Sequence, residues 1–229
     1  MRPFVSVLIA TYNQAATLAE TLASLTAQNL PSSQLEIIVV NDGSTDETGR
    51  ILRAYSGIRV IETLNRGLVA SCNEGLAAAQ GELFTRIDSD DLADPYWLSK
   101  LSELLDREPA AVCATSDRYE LVGAEKTWVQ VEPGNLYHLT ACGTMFRTGA
   151  LRKVGGFRPF FWEEYDLYLR LKPLGKFLHL PEPLYTYRHH PGGMTQNAAN
   201  RLQGWKELAQ TWGKEKLLAA GSHPELAHV

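Results

Sequence analysis

The chain has 229 residues, 45% of them hydrophobic and 21% charged, and a formal net charge of −4, so it suits one compact domain and offers no basic track for a nucleic-acid polymer. Three scattered cysteines, Cys72, Cys113 and Cys142, fit no zinc or redox spacing, and no apolar stretch approaches the roughly 18 residues of a membrane span. The opening Met1-Arg2-Pro3-Phe4 lacks a leader-type cleavage site, and a cytoplasmic setting is expected.

Residues 5–10 are apolar and rich in β-branched side chains, which predicts a buried strand. Thr11-Tyr12-Asn13 is the turn after it, with Asn13 as cap of a helix that puts Leu18, Leu22 and Leu25 on one face. Residues 35–40 predict a second buried strand. Ser44-Thr45-Asp46-Glu47 then has the spacing of a capping box for a helix through Ile51 and Leu52. A third strand at 58–61 leads through Asn65-Arg66-Gly67 to a helix that stops at Gly81. The fourth strand, 83–87, ends in Asp88-Ser89-Asp90-Asp91. Asp94-Pro95 opens the next helix, with Pro95 at its first position and Trp97, Leu98, Leu101, Leu104 and Leu105 as its buried stripe.

This alternation predicts an α/β fold with an open, mainly parallel sheet flanked by helices, whose ligands bind beyond the carboxyl ends of the strands. The polar clusters around Thr11, Asp42 and Asp88 all fall at such ends. The second half is less regular, with short strands expected at 112–115, 119–122, 127–131, 144–147, 177–180 and 184–188. A helix is expected from about 164 to 171. A last helix, 198–220, places Leu202, Trp205, Leu208, Trp212 and Leu217 roughly on one side. The expected organisation is one domain over 1–195 with a helical extension at 196–229 packed on it.

Several clusters carry both a structural and a chemical reading. Asp88, Asp90 and Asp91 either cap a turn or bind a hard divalent cation together with substrate phosphates. Asp42 is a turn residue before a helix or an acceptor for a base or ribose. Arg66 is a solvated turn residue or a cation near phosphates. Glu163-Glu164-Tyr165-Asp166 opens a helix where the dipole favours acidic residues, or supplies a general base. His190 is a surface histidine or part of a metal site. Trp128 and Trp162 either pack in the core or stack on a sugar ring. Trp205 and Trp212, with Lys206, Lys214 and Lys216, rest on the domain, on a second subunit in a homodimer, or peripherally on a membrane surface.

Taken in order, these pieces resemble a family 2 glycosyltransferase of the GT-A nucleotide-sugar transferase fold. They are Val5-Ser6-Val7-Leu8-Ile9-Ala10-Thr11-Tyr12-Asn13, Val40-Asn41-Asp42-Gly43-Ser44-Thr45-Asp46, Asn65-Arg66-Gly67, Asn73-Glu74-Gly75, Asp88-Ser89-Asp90-Asp91, Val154-Gly155-Gly156-Phe157, Glu163-Glu164-Tyr165-Asp166-Leu167 and Leu184-Tyr185-Thr186-Tyr187-Arg188. The resemblance runs from about residue 4 to 195. It implies an inverting transferase moving a sugar from a nucleoside diphosphate, UDP above all, to a saccharide or lipid-linked hydroxyl acceptor in glycan or cell-surface polysaccharide synthesis. Thr11, Tyr12, Asn13 and Asp42 would hold base and ribose, and Asp88 with Ser89 would contact the nucleotide. Asp90 would coordinate Mn2+ or Mg2+, with His190 supporting it. Glu164 would be the base beside Glu163, with Asp166 in reserve, and Gly143 and Thr144 would lie on the acceptor side. Two positions depart from the pattern: Glu164 stands where aspartate is frequent, and Cys72 where many relatives carry arginine. Those departures suggest the alternative of a nucleotide-sugar-binding module without catalysis. No G-x-G-x-x-G follows the first strand, which argues against a dinucleotide oxidoreductase.

Overall fold

Alternating side chains along the strands of one mixed sheet build two apolar layers, one on each face. On the first strand Val5, Val7 and Ile9 enter one layer and Leu8 the other; on the second, Ile37 and Val39 oppose Ile38 and Val40. The structure is a computed structural model that describes residues 4–132 and 134–229. Met1, Arg2 and Pro3, on which the leader expectation rests, lie outside them.

The strands are β1 (Val5–Thr11), β2 (Leu35–Asn41), β3 (Ile58–Glu62), β4 (Leu83–Asp88), β5 (Leu92–Ala93), β6 (Ala111–Val122), β7 (Glu125–Val129), β8 (Met145–Arg147) and β9 (Lys176–His189). The helices are α1 (Leu18–Thr26), α2 (Thr48–Arg53), α3 (Leu68–Ala78), α4 (Trp97–Arg107), α5 (Thr148–Lys153), α6 (Glu163–Leu171), α7 (Ala198–Trp212) and α8 (Lys214–Ala220). Sheet order is β3-β2-β1-β4-β8-β6-β9-β5, with β7 paired to β6. β3, β2, β1 and β4 are parallel neighbours, β8 runs antiparallel between β4 and β6, and β9 is parallel to β6. Register places Thr11 opposite Asn41 and Ala10 opposite Asp88. The three polar clusters of the first half therefore share one rim.

The structure differs from the sequence expectations where local signals compete with tertiary contacts. Asn13 does not cap α1, whose first residue is Leu18. It adopts φ 53 and accepts a bond from the Thr45 N–H at 2.8 Å, joining two loops. Ser44 likewise bonds Asn13 rather than closing a capping box, and Asp46 accepts from the Thr48 N–H at 2.9 Å. α3 ends at Ala78 instead of Gly81; Gly81 is required because a Cβ there would lie 2.6 Å from the Ser6 nitrogen. Pro95 precedes α4, and Asp94 accepts from the Tyr96 N–H. The segments 112–115 and 119–122 are one strand, β6, as are 177–180 and 184–188 in β9. Their pairing absorbs register shifts around Asp117 and Pro183. The last helix breaks into α7 and α8 at Gly213, whose φ is 81.

α7 and α8 pack inward. Trp205, Leu208 and Leu217 are buried, and the Trp205 ring meets Tyr137, Tyr165 and Trp162 at centroid distances of 5.0, 5.3 and 5.7 Å. Trp212 turns the same way, donating through Nε1 to Asp166 at 3.1 Å. No helix among the described residues is long and apolar enough to cross a membrane. Because Trp205 joins the extension to the core, Trp205→Ala should lower unfolding free energy by about 3–5 kcal/mol. Urea unfolding followed by far-ultraviolet circular dichroism measures this.

Candidate active site

A cleft of about 700 Å³ opens along the carboxyl rim of β1, β2 and β4 and continues under the second half of the chain. Its first side is a set of strand ends and loops held by Asp42. The Asp42 carboxylate accepts from the Thr63 hydroxyl at 2.6 Å, the Arg66 N–H at 2.8 Å and the Gly67 N–H at 2.7 Å. Burial opposes ionisation, but these three donors prevail and hold the carboxyl below its usual range. Thr11, Tyr12, Asn65, Gly67 and Ser71 line the same side.

At the end of β4 the acidic turn divides its labour. Asp91 is buried, and it accepts from the Tyr185 hydroxyl at 2.5 Å and the Arg188 N–H at 2.8 Å, tying the turn to β9. Burial and the neighbouring Asp88 raise its pKa well above the ordinary value. Asp88, Ser89 and Asp90 instead line the cleft, and Asp90 meets His190 Nε2 at 2.7 Å. Burial, then Asp88, raises the Asp90 pKa.

One group of ligand atoms, from Asp88, Asp91 and Cys142, lies within 4.8 Å of one another. Two of these are already engaged: Asp91 as above, and Cys142 Sγ as an acceptor for Arg86 Nη2 at 3.2 Å, its thiol pKa raised well above the usual range by burial. Asp88 and Asp90 present carboxylate oxygens to the cleft, the donor type a hard divalent cation takes, and His190 is hydrogen-bonded to Asp90 beside them.

The cleft floor is organised by a residue absent from the sequence candidates. Arg86, buried in the middle of β4, donates through Nη1 to Glu163 Oε1 at 2.9 Å and to Cys72 Sγ at 3.3 Å. Its Nε lies 3.4 Å from Asp88. Glu163 is thereby locked as the anionic half of a buried pair. Glu164, one residue along α6, lines the cleft and is only partly buried. Burial and the adjacent Glu163 charge raise its pKa well above the ordinary carboxylate value.

Not every candidate reaches the cleft. Asn13 holds loops together and does not line it. The Arg66 guanidinium pairs on the surface with Glu74 at 3.0 Å, and only its backbone serves Asp42. Asp166 cannot serve as a reserve base, because it is fully buried, pairs with Arg170 at 2.7 Å and accepts from Trp212. Thr144 is also buried, against Tyr168; Gly143 carries φ 87 beneath the Tyr185 ring, and Thr140, Ala141 and Cys142 line the cleft instead. Trp162 borders the cleft, whereas Trp128 bonds Asp117 outside it. Arg86 was legible as an arginine inside an apolar strand two residues before an acidic turn.

The mixed α/β sheet thus carries an acidic turn at the end of its fourth strand and a carboxylate across the cleft. Residues 6–162 match the model of glycosyl transferase family 2, and the chain belongs to that family, as a glycosyltransferase. An uncharacterized glycosyltransferase of Haemophilus influenzae is 28% identical, over 88% of this chain and 70% of its own length. Among solved structures, residues 1–349 of S. aureus TarS in complex with UDP-GlcNAc superpose with a TM-score of 0.77 at 19% identity. The match covers 93% of this chain and 70% of that one. The mannosyltransferase PcManGT from Pyrobaculum calidifontis, in complex with GDP-Man and Mn2+, gives 0.73 at 19% identity, covering 100% and 79%. These likenesses establish the GT-A fold.

Arg86→Met would leave Glu163 buried without its partner. Chemical denaturation should show a loss of about 3–5 kcal/mol.

Proposed function

We propose that the chain transfers a sugar from a UDP carrier to an acceptor hydroxyl, with inversion at the anomeric carbon and with Mn2+ or Mg2+ bound. The observation that carries this reading is the meeting of the Asp88–Asp90–His190 rim and Glu164 in one cleft. The Asp42 carboxylate supports a uracil-type base. Three of its roughly four acceptor positions are occupied, and the remaining one suits a ring N–H rather than the bare ring nitrogen of cytosine or adenine. Structural neighbours in complex with UDP-GlcNAc and with GDP-Man and Mn2+ support a nucleoside diphosphate sugar as the donor class. The setting we assign is cytoplasmic glycan or cell-surface polysaccharide synthesis, on a saccharide or lipid-linked acceptor.

In this mechanism Glu164 takes the proton of the acceptor hydroxyl while that oxygen bonds the anomeric carbon from the face opposite the diphosphate. The bond from that carbon to the diphosphate oxygen breaks, and its electron pair leaves with the diphosphate. Asp90, with Asp88 and His190, would hold the cation, which would supply a Lewis acid for the charge on that leaving group. Arg86 keeps Glu163 in its ion pair, so Glu164 is the carboxyl left to move a proton.

Glu164→Gln should reduce kcat by about 10²–10⁴-fold while UDP affinity stays near wild type. Asp90→Asn should lower turnover strongly with the fold intact, and near-normal turnover would contradict the cation assignment. The working form of Glu164 is the carboxylate and its pKa is raised, so activity must fall as pH drops through that raised value. A pH profile of kcat/KM should place the acid limb above the ordinary carboxylate range; a limb near pH 4 would contradict the assignment.

A further inference from the structure

Four of the six histidines in the chain line the cleft, and two of them have side-chain carboxylate partners there: His190 on Asp90, and His189 on Glu120 at 3.2 Å. The other two, His138 and His223, come from distant parts of the chain. His138 ends a short turn, Leu136–His138, and His223 precedes the terminal turn Pro224–His228. Asn135 fastens the two segments together, accepting from the Tyr137 N–H and donating through Nδ2 to the Ser222 carbonyl at 3.1 Å. The Tyr137 hydroxyl donates to the Leu217 carbonyl at 2.7 Å. Gly221 packs so tightly that a Cβ there would lie 2.1 Å from Asn135 Oδ1. The C-terminal extension, beyond the family-matched residues 6–162, is thus part of the cleft wall.

Both rings are fixed in the same way. His138 Nδ1 accepts from the Glu132 N–H at 3.3 Å, and His223 Nδ1 accepts from the Glu225 N–H at 3.2 Å. In a neutral imidazole whose Nδ1 accepts, the proton sits on Nε2. Neither Nε2 has a hydrogen-bond partner among the described residues. Burial, together with His138 and Arg201, lowers the His223 pKa against the pull of Glu225, which keeps that ring neutral. The wall offers little net charge to an anion, because Arg118 is occupied by Glu120 and the His138 carbonyl. Phe161, Trp162 and Tyr165 line the same side. Two Nε2 positions free of protein partners among the described residues, beside aromatic faces, suit the hydroxyls and C–H faces of a sugar.

We propose that His138 and His223 form a saccharide subsite at the acceptor end of the cleft, through which the C-terminal extension selects a glycan acceptor. This deepens the transferase reading above and rests on it.

The test uses the full chain with Mn2+. It measures nucleotide release from UDP-glucose, UDP-N-acetylglucosamine, GDP-mannose and dTDP-glucose, alone and with p-nitrophenyl mono- and disaccharide glycosides. His223→Asn retains a side-chain acceptor for the Glu225 N–H but removes the Nε2 donor, so its melting temperature should match wild type. Its acceptor KM should rise about tenfold, the effect of one lost hydrogen bond, with kcat falling less than threefold. His138→Ala should do the same, His223→Gln should restore part of the affinity, and the exposed-tail control His228→Ala should change nothing. An acceptor KM within twofold of wild type in both His223→Asn and His138→Ala overturns the subsite. Donor hydrolysis without transfer to any glycoside overturns its saccharide assignment. No nucleotide release under any condition defeats the transferase reading itself, and this inference with it.

Discussion

The buried ion pair between Arg86 and Glu163 joins the two halves of the molecule. Residues 84, 86 and 88 project from one face of β4, so that face passes from core (Phe84) through a buried cation to a cleft carboxylate. A guanidinium at that depth costs several kcal/mol to desolvate. Glu163 offsets this at 2.9 Å, and Cys72 and Cys142 supply softer contacts at 3.3 and 3.2 Å. Cys72 thus has a physical role in this chain: its small neutral side chain leaves room beside Arg86. Burial pushes its thiol up to about 11, which keeps it protonated. The pair also fixes the first turn of α6, and the position of Glu164 follows from it.

On the opposite side, Asp91 plays a comparable part for β9. Its carboxylate holds the Tyr185 hydroxyl and the Arg188 backbone, and the residues that follow carry His189 and His190 to the cleft. The acidic turn therefore contains one structural carboxylate and two that face the cleft. Asp42 is the third organising anion, closing the 63–67 loop over the end of β2. Each of these groups is held by bonds within the protein, two to Asp91 and three to Asp42, which preorganises the cleft before any ligand arrives.

Much of this was legible in the sequence because the first half obeys short-range rules. Apolar β-branched runs end in polar turns, and a parallel register brings those turns to one rim, so the cleft residues Thr11, Asp42, Asp88 and Asp90 could be named directly. Glu164 and His190 came with the family resemblance. What was hidden depends on long-range partners. Asp166 reads like its neighbours along the sequence but turns into the core, since helical spacing sends adjacent residues to different faces. Arg66 and Asn13 have suitable side chains, yet Glu74 and Thr45 engage them. The continuity of β6 and β9 was masked by prolines at 181 and 183 and by a bulge near Asp117. Arg86 and the His138–His223 pair required contacts across 77 and 85 positions, which no local pattern encodes.

The central claim is that a nucleoside diphosphate and a divalent cation share the rim of β1, β2 and β4. Calorimetric titration of the purified chain with UDP, with and without Mn2+, tests it most directly. The account predicts tight binding that depends on Mn2+ and weakens sharply in Asp90→Asn, with CDP binding far more weakly than UDP. UDP affinity that is indifferent to the cation, or no binding of UDP in either condition, would contradict it.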